Sequence, residues 1–187
     1  MKSICLALLL CFITSFCAVA EKLAAYDDIP LHWRTEIIPF PLHFAPQIKL
    51  RGVEELVFAP GMYQPKRADF FSYAFTWIIK PTEIDESLMH TYLRQYYQGL
   101  YQAVAKDNPR SDMVKVTISE AKTDRFYRGH IDWVEPFVSH QPQTLYFQAS
   151  KTHCSNSKQT RWHFMVSPQP KSHAVWTDLN ALTLAQC

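Results

Sequence analysis

The sequence predicts an α+β fold: a single domain in which one long helix packs on an antiparallel sheet of about five or six strands, with a short C-terminal helix. Three observations carry that reading. The hydrophobic period switches from two to an alternation of three and four near residue 85, then returns to two for four more segments. The connections between those later segments are short and polar, as in hairpins, which make neighbouring strands antiparallel. Prolines outnumber glycines twelve to four, so proline punctuates the chain and phosphate-cradling glycine loops are disfavoured.

The elements follow in chain order. Met1–Lys2 is a positive start, Ile4 to Phe16 is an apolar run broken only by Thr14 and Ser15, and Ala18-Val19-Ala20 is an A-x-A site. That pattern predicts a signal peptide over residues 1–20, cleaved after Ala20, and an exported product, periplasmic or secreted. The run is shorter than the ~18–20 residues a membrane span needs. Cys17 lacks the small preceding residues that lipid attachment uses. Residues 21–48 carry Pro30, Pro39, Pro41 and Pro46 among Trp33, Phe40 and Phe44, which predicts an extended Pro-rich arm lying against the α+β domain of residues 49–187.

Within that domain Val53–Phe58 reads as a short strand ended by Pro60-Gly61. Phe70–Ile79 reads as a strand with Phe71, Tyr73, Phe75, Trp77 and Ile79 on one face. From Asp85 to about Lys106 the residues Leu88, Met89, Tyr92, Leu93, Tyr96, Leu100 and Val104 recur at helical spacing. Asp85 or Thr82 caps the start and Asn108-Pro109 ends the helix. Four strands are expected at Val114–Ala121, Phe126–Val134, Leu145–Cys154 and Arg161–Ser167, with Thr123-Asp124 and Ser155–Gln159 as connections. A short helix runs from Val175 to about Ala185. A strand, a long helix and four further strands also occur in hot-dog and cystatin-like folds, an analogy that carries no function.

Composition narrows the function classes. The chain has 19 Lys and Arg against 17 Asp and Glu, and removal of Lys2 with the leader leaves 18 against 17. No basic run is longer than Lys66-Arg67, so nucleic acid is not an expected partner. No Asn-x-Ser/Thr acceptor follows Asn108, Asn156 or Asn180, which leans towards a periplasmic origin. Of five cysteines, Cys5, Cys11 and Cys17 leave with the leader. Cys154 and Cys187 remain, and in an oxidising compartment they are expected to form a disulfide.

Eight histidines invite a metal site, yet neither H-E-x-x-H nor C-x-x-C spacing is present, and no metal or cofactor is expected. His130 and Asp132 lie two apart on an expected strand and share a face, a geometry in which a carboxylate orients an imidazole for general acid–base work. Glu120 and Glu135 are further acid–base candidates, and a hairpin over residues 145–167 would draw His153 towards His163. No serine sits in G-x-S-x-G, so a secreted hydrolase using His130 and Asp132 is the alternative, not the main expectation.

The tyrosines of the long helix give the main one. A buried phenol needs a hydrogen-bond partner, so Tyr96, Tyr97 and Tyr101, facing Tyr73 and Trp77, mark a seam able to meet polar atoms of a ligand. The expected role is non-catalytic binding of a small, partly apolar or aromatic ligand, or of an envelope protein. A purely structural or accessory periplasmic role is the remaining alternative.

Overall fold

Two antiparallel meanders joined by a helix build the sheet. In the computed structural model, which describes residues 22–105, 113–121 and 125–187 without the side chains of 120 and 121, the first meander comprises β2 (Arg34–Pro39), β3 (Gly52–Phe58) and β4 (Tyr73–Ile79). Helix α1 (Glu86–Val104) leads to the second, β5 (Lys115–Ala121), β6 (Phe126–Val134), β7 (Pro142–Cys154) and β8 (Gln159–Ser167). Pairing of β4 with β8 closes one seven-stranded sheet in the order β2-β3-β4-β8-β7-β6-β5. β1 (Tyr26–Asp28) and β9 (Thr183–Leu184) form a separate two-stranded ribbon, and α2 (Val175–Asn180) precedes β9.

The α+β class and the long helix are as the sequence predicts. The strand count is not: the main sheet has seven strands instead of five or six, because residues 34–39, within the proline-rich segment, pair along their whole length with β3. Proline is compatible with that place, since β2 is an edge strand and Pro39 is its last residue. The C-terminal helix is also shorter than expected, ending at Asn180, after which Thr183 and Leu184 pair with β1. The strand expected from Phe70 begins at Tyr73, because Phe71 takes a positive φ of 49° in the preceding turn. The 1–20 leader, the Asn108-Pro109 stop and the Thr123-Asp124 connection lie outside the described residues.

Alternation distributes the side chains to two faces. On the inner face Tyr73, Phe75, Trp77, Tyr127, Trp133, Phe147, Trp162 and Phe164 form an aromatic layer under α1. Asp85 caps the helix by accepting from the Leu88 amide at 2.8 Å, and α1 buries Met89, Leu93, Tyr96, Tyr97, Gly99 and Tyr101. Gly99 is required by approach: a Cβ there would come within 2.0 Å of the Phe44 carbonyl oxygen, so its absence lets the 40–51 connection close on the helix.

Among the described residues, the cover of the outer face is centred on β3 and β4. Leu23, Ala25 and Tyr26 from the N-terminal segment, with Val175, Trp176 and Leu179 of α2, pack on Val57, Ala74 and Ile78. Polar groups fasten this cover. Glu55 accepts from the amides of Ala24 and Ala25, each at 2.8 Å, and Arg161 donates to the carbonyls of Ala24 at 3.2 Å and Ala185 at 2.8 Å. The Thr76 hydroxyl stands 3.1 Å from the Tyr26 hydroxyl and 3.0 Å from His163 Nδ1. Cys154, at the end of β7, is bonded to Cys187 as expected, with a Cα–Cα distance of 5.0 Å across a separation of 33 residues. Among the described residues no helix is long and apolar enough to cross a membrane.

Candidate functional site

An apolar cavity of about 300 Å³ lies between the C-terminal half of α1 and the strands β2 and β3 at one side of the sheet. The helix contributes Tyr96, Leu100, Ala103 and Val104; the strands contribute Glu36, Ile38, Leu56, Phe58 and Tyr73. His43 and Phe44 come from the 40–51 connection, and Met62, Tyr63 and Phe71 from the 59–72 loop. Phe137, on the turn after β6, closes the remaining side.

Those loops are held in place by their own polar groups. Asp69 accepts from the Gly61 amide at 2.8 Å and from Arg67 Nε at 2.8 Å, folding the 59–72 loop back on itself. Glu135 accepts from the amides of Phe137, Val138 and Ser139 and from the Ser139 hydroxyl, which fixes the turn that presents Phe137. The Phe137 ring then meets Phe71 at 5.7 Å and Tyr63 at 5.9 Å between centroids. Glu135, an acid–base candidate in the sequence, is thus engaged in loop structure; the side chain of Glu120 lies outside the described residues.

The expected ligand-binding residues divide. Tyr73 and Tyr96 line the cavity, whereas Trp77, Tyr97 and Tyr101 are buried behind or beside it. The hydroxyls of Tyr73 and Tyr97 bond to each other at 2.7 Å. The Tyr96 ring stacks on Phe75 with centroids 5.4 Å apart, and Phe44 meets it edge-on at 5.0 Å. Burial pushes the Tyr73 and Tyr96 phenols well above their ordinary range, with the neighbouring Glu54 carboxyl adding to the effect.

Glu54 is the residue that sequence reasoning missed. It sits on the inner face of β3, fully buried, opposite Ile38 of β2 and Trp77 of β4. Oε1 accepts from Trp77 Nε1 at 2.9 Å, the Tyr96 hydroxyl adds a weaker interaction, and Oε2 completes no hydrogen bond. Desolvation, opposed by Trp77 and Tyr96 and reinforced by Glu36, raises its pKa from 4.5 to about 8. At neutral pH this favours the neutral acid over the carboxylate. The available signal was the pair Glu54-Glu55 inside a strand of otherwise apolar and β-branched residues.

The other candidates do not converge. His130 Nε2 is 3.7 Å from Asp132 Oδ2, so the pair shares a face as its spacing implies, and Thr144 donates to Asp132 Oδ1 at 2.6 Å. Both side chains are partly exposed on the outer face, away from the cavity. The residues directly opposite His130 on the neighbouring strands are Thr117 and Tyr146, neither of them a serine. The expected approach of His153 to His163 does not occur: the register sets His153 against Thr160 and His163 against Ser150. Among the described residues no group of three or more His, Cys, Asp or Glu is placed to hold a metal ion.

A larger cleft of about 640 Å³ lies at the opposite end of the sheet, between Glu83, Arg125, Lys151 and His153. It is charged and crossed by the 3.3 Å Lys151–Glu83 ion pair, with Glu83 91% exposed. The smaller cavity, with aromatic walls and a few polar groups, has the character of a ligand site. No known family matches the chain, and no curated protein or solved structure is detectably similar to it.

Proposed function

We propose that this chain is an exported, periplasmic or secreted binding protein that takes a small, partly apolar ligand into the cavity between α1 and β2–β3, without catalysing a reaction on it. The observation that carries the reading is the cavity itself: a half-open recess of about 300 Å³ bordering an aromatic layer that elsewhere packs ring on ring. Burying an apolar molecule there recovers the contacts and the hydrophobic free energy that the empty space forgoes, at about 25 cal/mol per Å² of area removed from water. Tyr63 and Val138, exposed near Phe137, give the neighbourhood of the cavity an apolar surface. The Cys154–Cys187 disulfide fits the oxidising compartment that export implies.

Titration with n-butylbenzene tests the reading. The parent protein is expected to gain melting temperature in a saturable way, because a ligand that binds only the folded state stabilises it by mass action. Leu100→Trp, which fills the cavity from the helix side, is expected to fold and to lose that response. Identical responses in the two proteins, or none in the parent, would contradict it.

A further inference from the structure

We infer, building on the proposed cavity site, that its occupant is an amphiphile with a single amine head, whose ammonium is held at the Tyr96 hydroxyl with an ionised Glu54 carboxylate behind it. The placement of Glu54 is the first support. Its direct cross-strand neighbour Ile38, Leu56 two residues along the same face, and Tyr96 all line the cavity. A fully buried carboxyl with one oxygen lacking a hydrogen bond is costly in an otherwise apolar layer, and a cation held at Tyr96, on the near side of Glu54, lowers the cost of its charged form through space.

The second support is the inventory of polar groups. The Tyr73 and Tyr97 hydroxyls satisfy each other, and the Tyr96 hydroxyl interacts with Glu54, which leaves the Tyr96 oxygen, as an acceptor, to meet a head group. The groups facing Glu54 are Glu36 from β2, Tyr73 from β4, and Tyr96 and Tyr97 from α1, with Tyr26 interacting from the far side of the sheet. None is a cation, and Glu36 places a second carboxylate on the cavity wall. Among the described residues, the cationic or basic groups near the wall are His43 on it and Arg34 of β2, which interacts with Tyr63, whereas Tyr96 has only the carboxyls of Glu54 and Glu36 as charged neighbours.

The third support is a proton balance that can be read. With its pKa near 8, Glu54 favours its protonated form at pH 7 in the empty protein. Arrival of an ammonium favours the carboxylate, so the O–H bond of Glu54 breaks and the proton passes to the buffer. The amine arrives already protonated, and no other reactant is needed.

Isothermal titration with 4-phenylbutylamine, n-butylbenzene and 4-phenylbutyrate, repeated at pH 7 in phosphate and in Tris, tests this. The amine is expected to bind at least about tenfold more tightly than n-butylbenzene, as for a charge-assisted hydrogen bond. Its enthalpy should differ between buffers by the release of about one proton, and the butyrate should bind most weakly. Glu54→Gln, isosteric with the neutral acid, should abolish the proton release and the amine preference while keeping n-butylbenzene binding. Tyr96→Phe should lower amine affinity alone. Binding of n-butylbenzene with no preference for the amine, or with no buffer dependence, overturns this inference and leaves the cavity reading intact. Failure of all three probes overturns both.

Discussion

Glu54 and Glu55 are neighbours on β3, both buried, and they face opposite sides of one sheet. On the outer side Glu55 has its two oxygens filled by the amides of Ala24 and Ala25, and it fastens the N-terminal segment over an apolar cluster. On the inner side Glu54 has one oxygen filled by Trp77 and the other without a hydrogen bond, behind Ile38, Leu56 and Tyr96 of the cavity wall. The same side chain, at the same depth, therefore serves two ends. A buried carboxyl whose acceptors are saturated by backbone amides is a structural clasp; one left incomplete behind a cavity wall keeps an unmet hydrogen bond. Saturation of hydrogen bonds, more than burial or charge, separates the two faces.

Breaking the outer face should have the largest effect on stability. The disulfide anchors the C-terminal segment that completes the cover, and the chain-entropy model values a loop of its size at about 3.5–4 kcal/mol. Reduction, or Cys154→Ser, is expected to lower the melting temperature by about 10 °C in a calorimetric scan. Next in size is Glu55→Ala, which leaves the buried Ala25 amide and the part-buried Ala24 amide without acceptors and should cost about 1–3 kcal/mol. Hydrogen exchange at Ala24 and Ala25 should accelerate before the rest of the sheet is affected. Equal protection in variant and parent would remove the clasp from the comparison.

The two faces should also answer pH in opposite senses. Glu54 has a raised pKa in the folded state, so the folded protein holds more protons than the unfolded chain between about 4.5 and 8. Stability from this group is complete below that window and is lost as pH rises through it. His163, on the outer face, is pushed by burial from 6.5 down to about 4. Its contribution is complete above 6.5 and is lost as pH falls towards 4. Denaturation curves of Glu54→Gln should therefore gain on the parent as pH rises from about 4.5 to 8, and those of His163→Asn as pH falls from 6.5 to about 4. Parallel curves for either pair would contradict the assignment.

Smaller still is Tyr97→Phe, which strands the Tyr73 hydroxyl and should cost about 1–2 kcal/mol without closing the cavity. Smallest is His130→Ala, at a partly exposed place on the outer face, expected within about 0.5 kcal/mol of the parent and with unchanged ligand binding. A large loss of binding in that variant would revive the catalytic pair that its spacing suggested.

The helix was legible because cap and period agree: Asp85 opens a stripe in which Met89, Leu93 and Tyr96 recur at helical spacing. Six of the seven sheet strands were legible from alternation or from β-branched and aromatic content. β2 was not, because prolines argue against a strand unless it is known to lie at an edge, and edge position is a property of the whole sheet. The β1–β9 ribbon pairs residues more than 150 positions apart over two or three residues, too few for any period to show. Two residues of the cavity wall, Tyr73 and Tyr96, stand out in the sequence as aromatic residues on facing elements. Leu100, Phe44, Met62 and Phe137 reach the cavity through helix and loop closure, which local pattern does not encode. Glu54 was visible as a charge in an apolar strand, but its inward direction depended on a register that only the fold supplies.

The central claim, that the cavity between α1 and β2–β3 holds a small ligand, is tested most directly by native mass spectrometry of the protein purified from its own cells. The account predicts that part of the parent protein carries the added mass of one small organic molecule, that the molecule contains an apolar body, and that Leu100→Trp prepared in parallel carries none. Bare polypeptide mass in both preparations, or the same added mass in the filled variant, would contradict it.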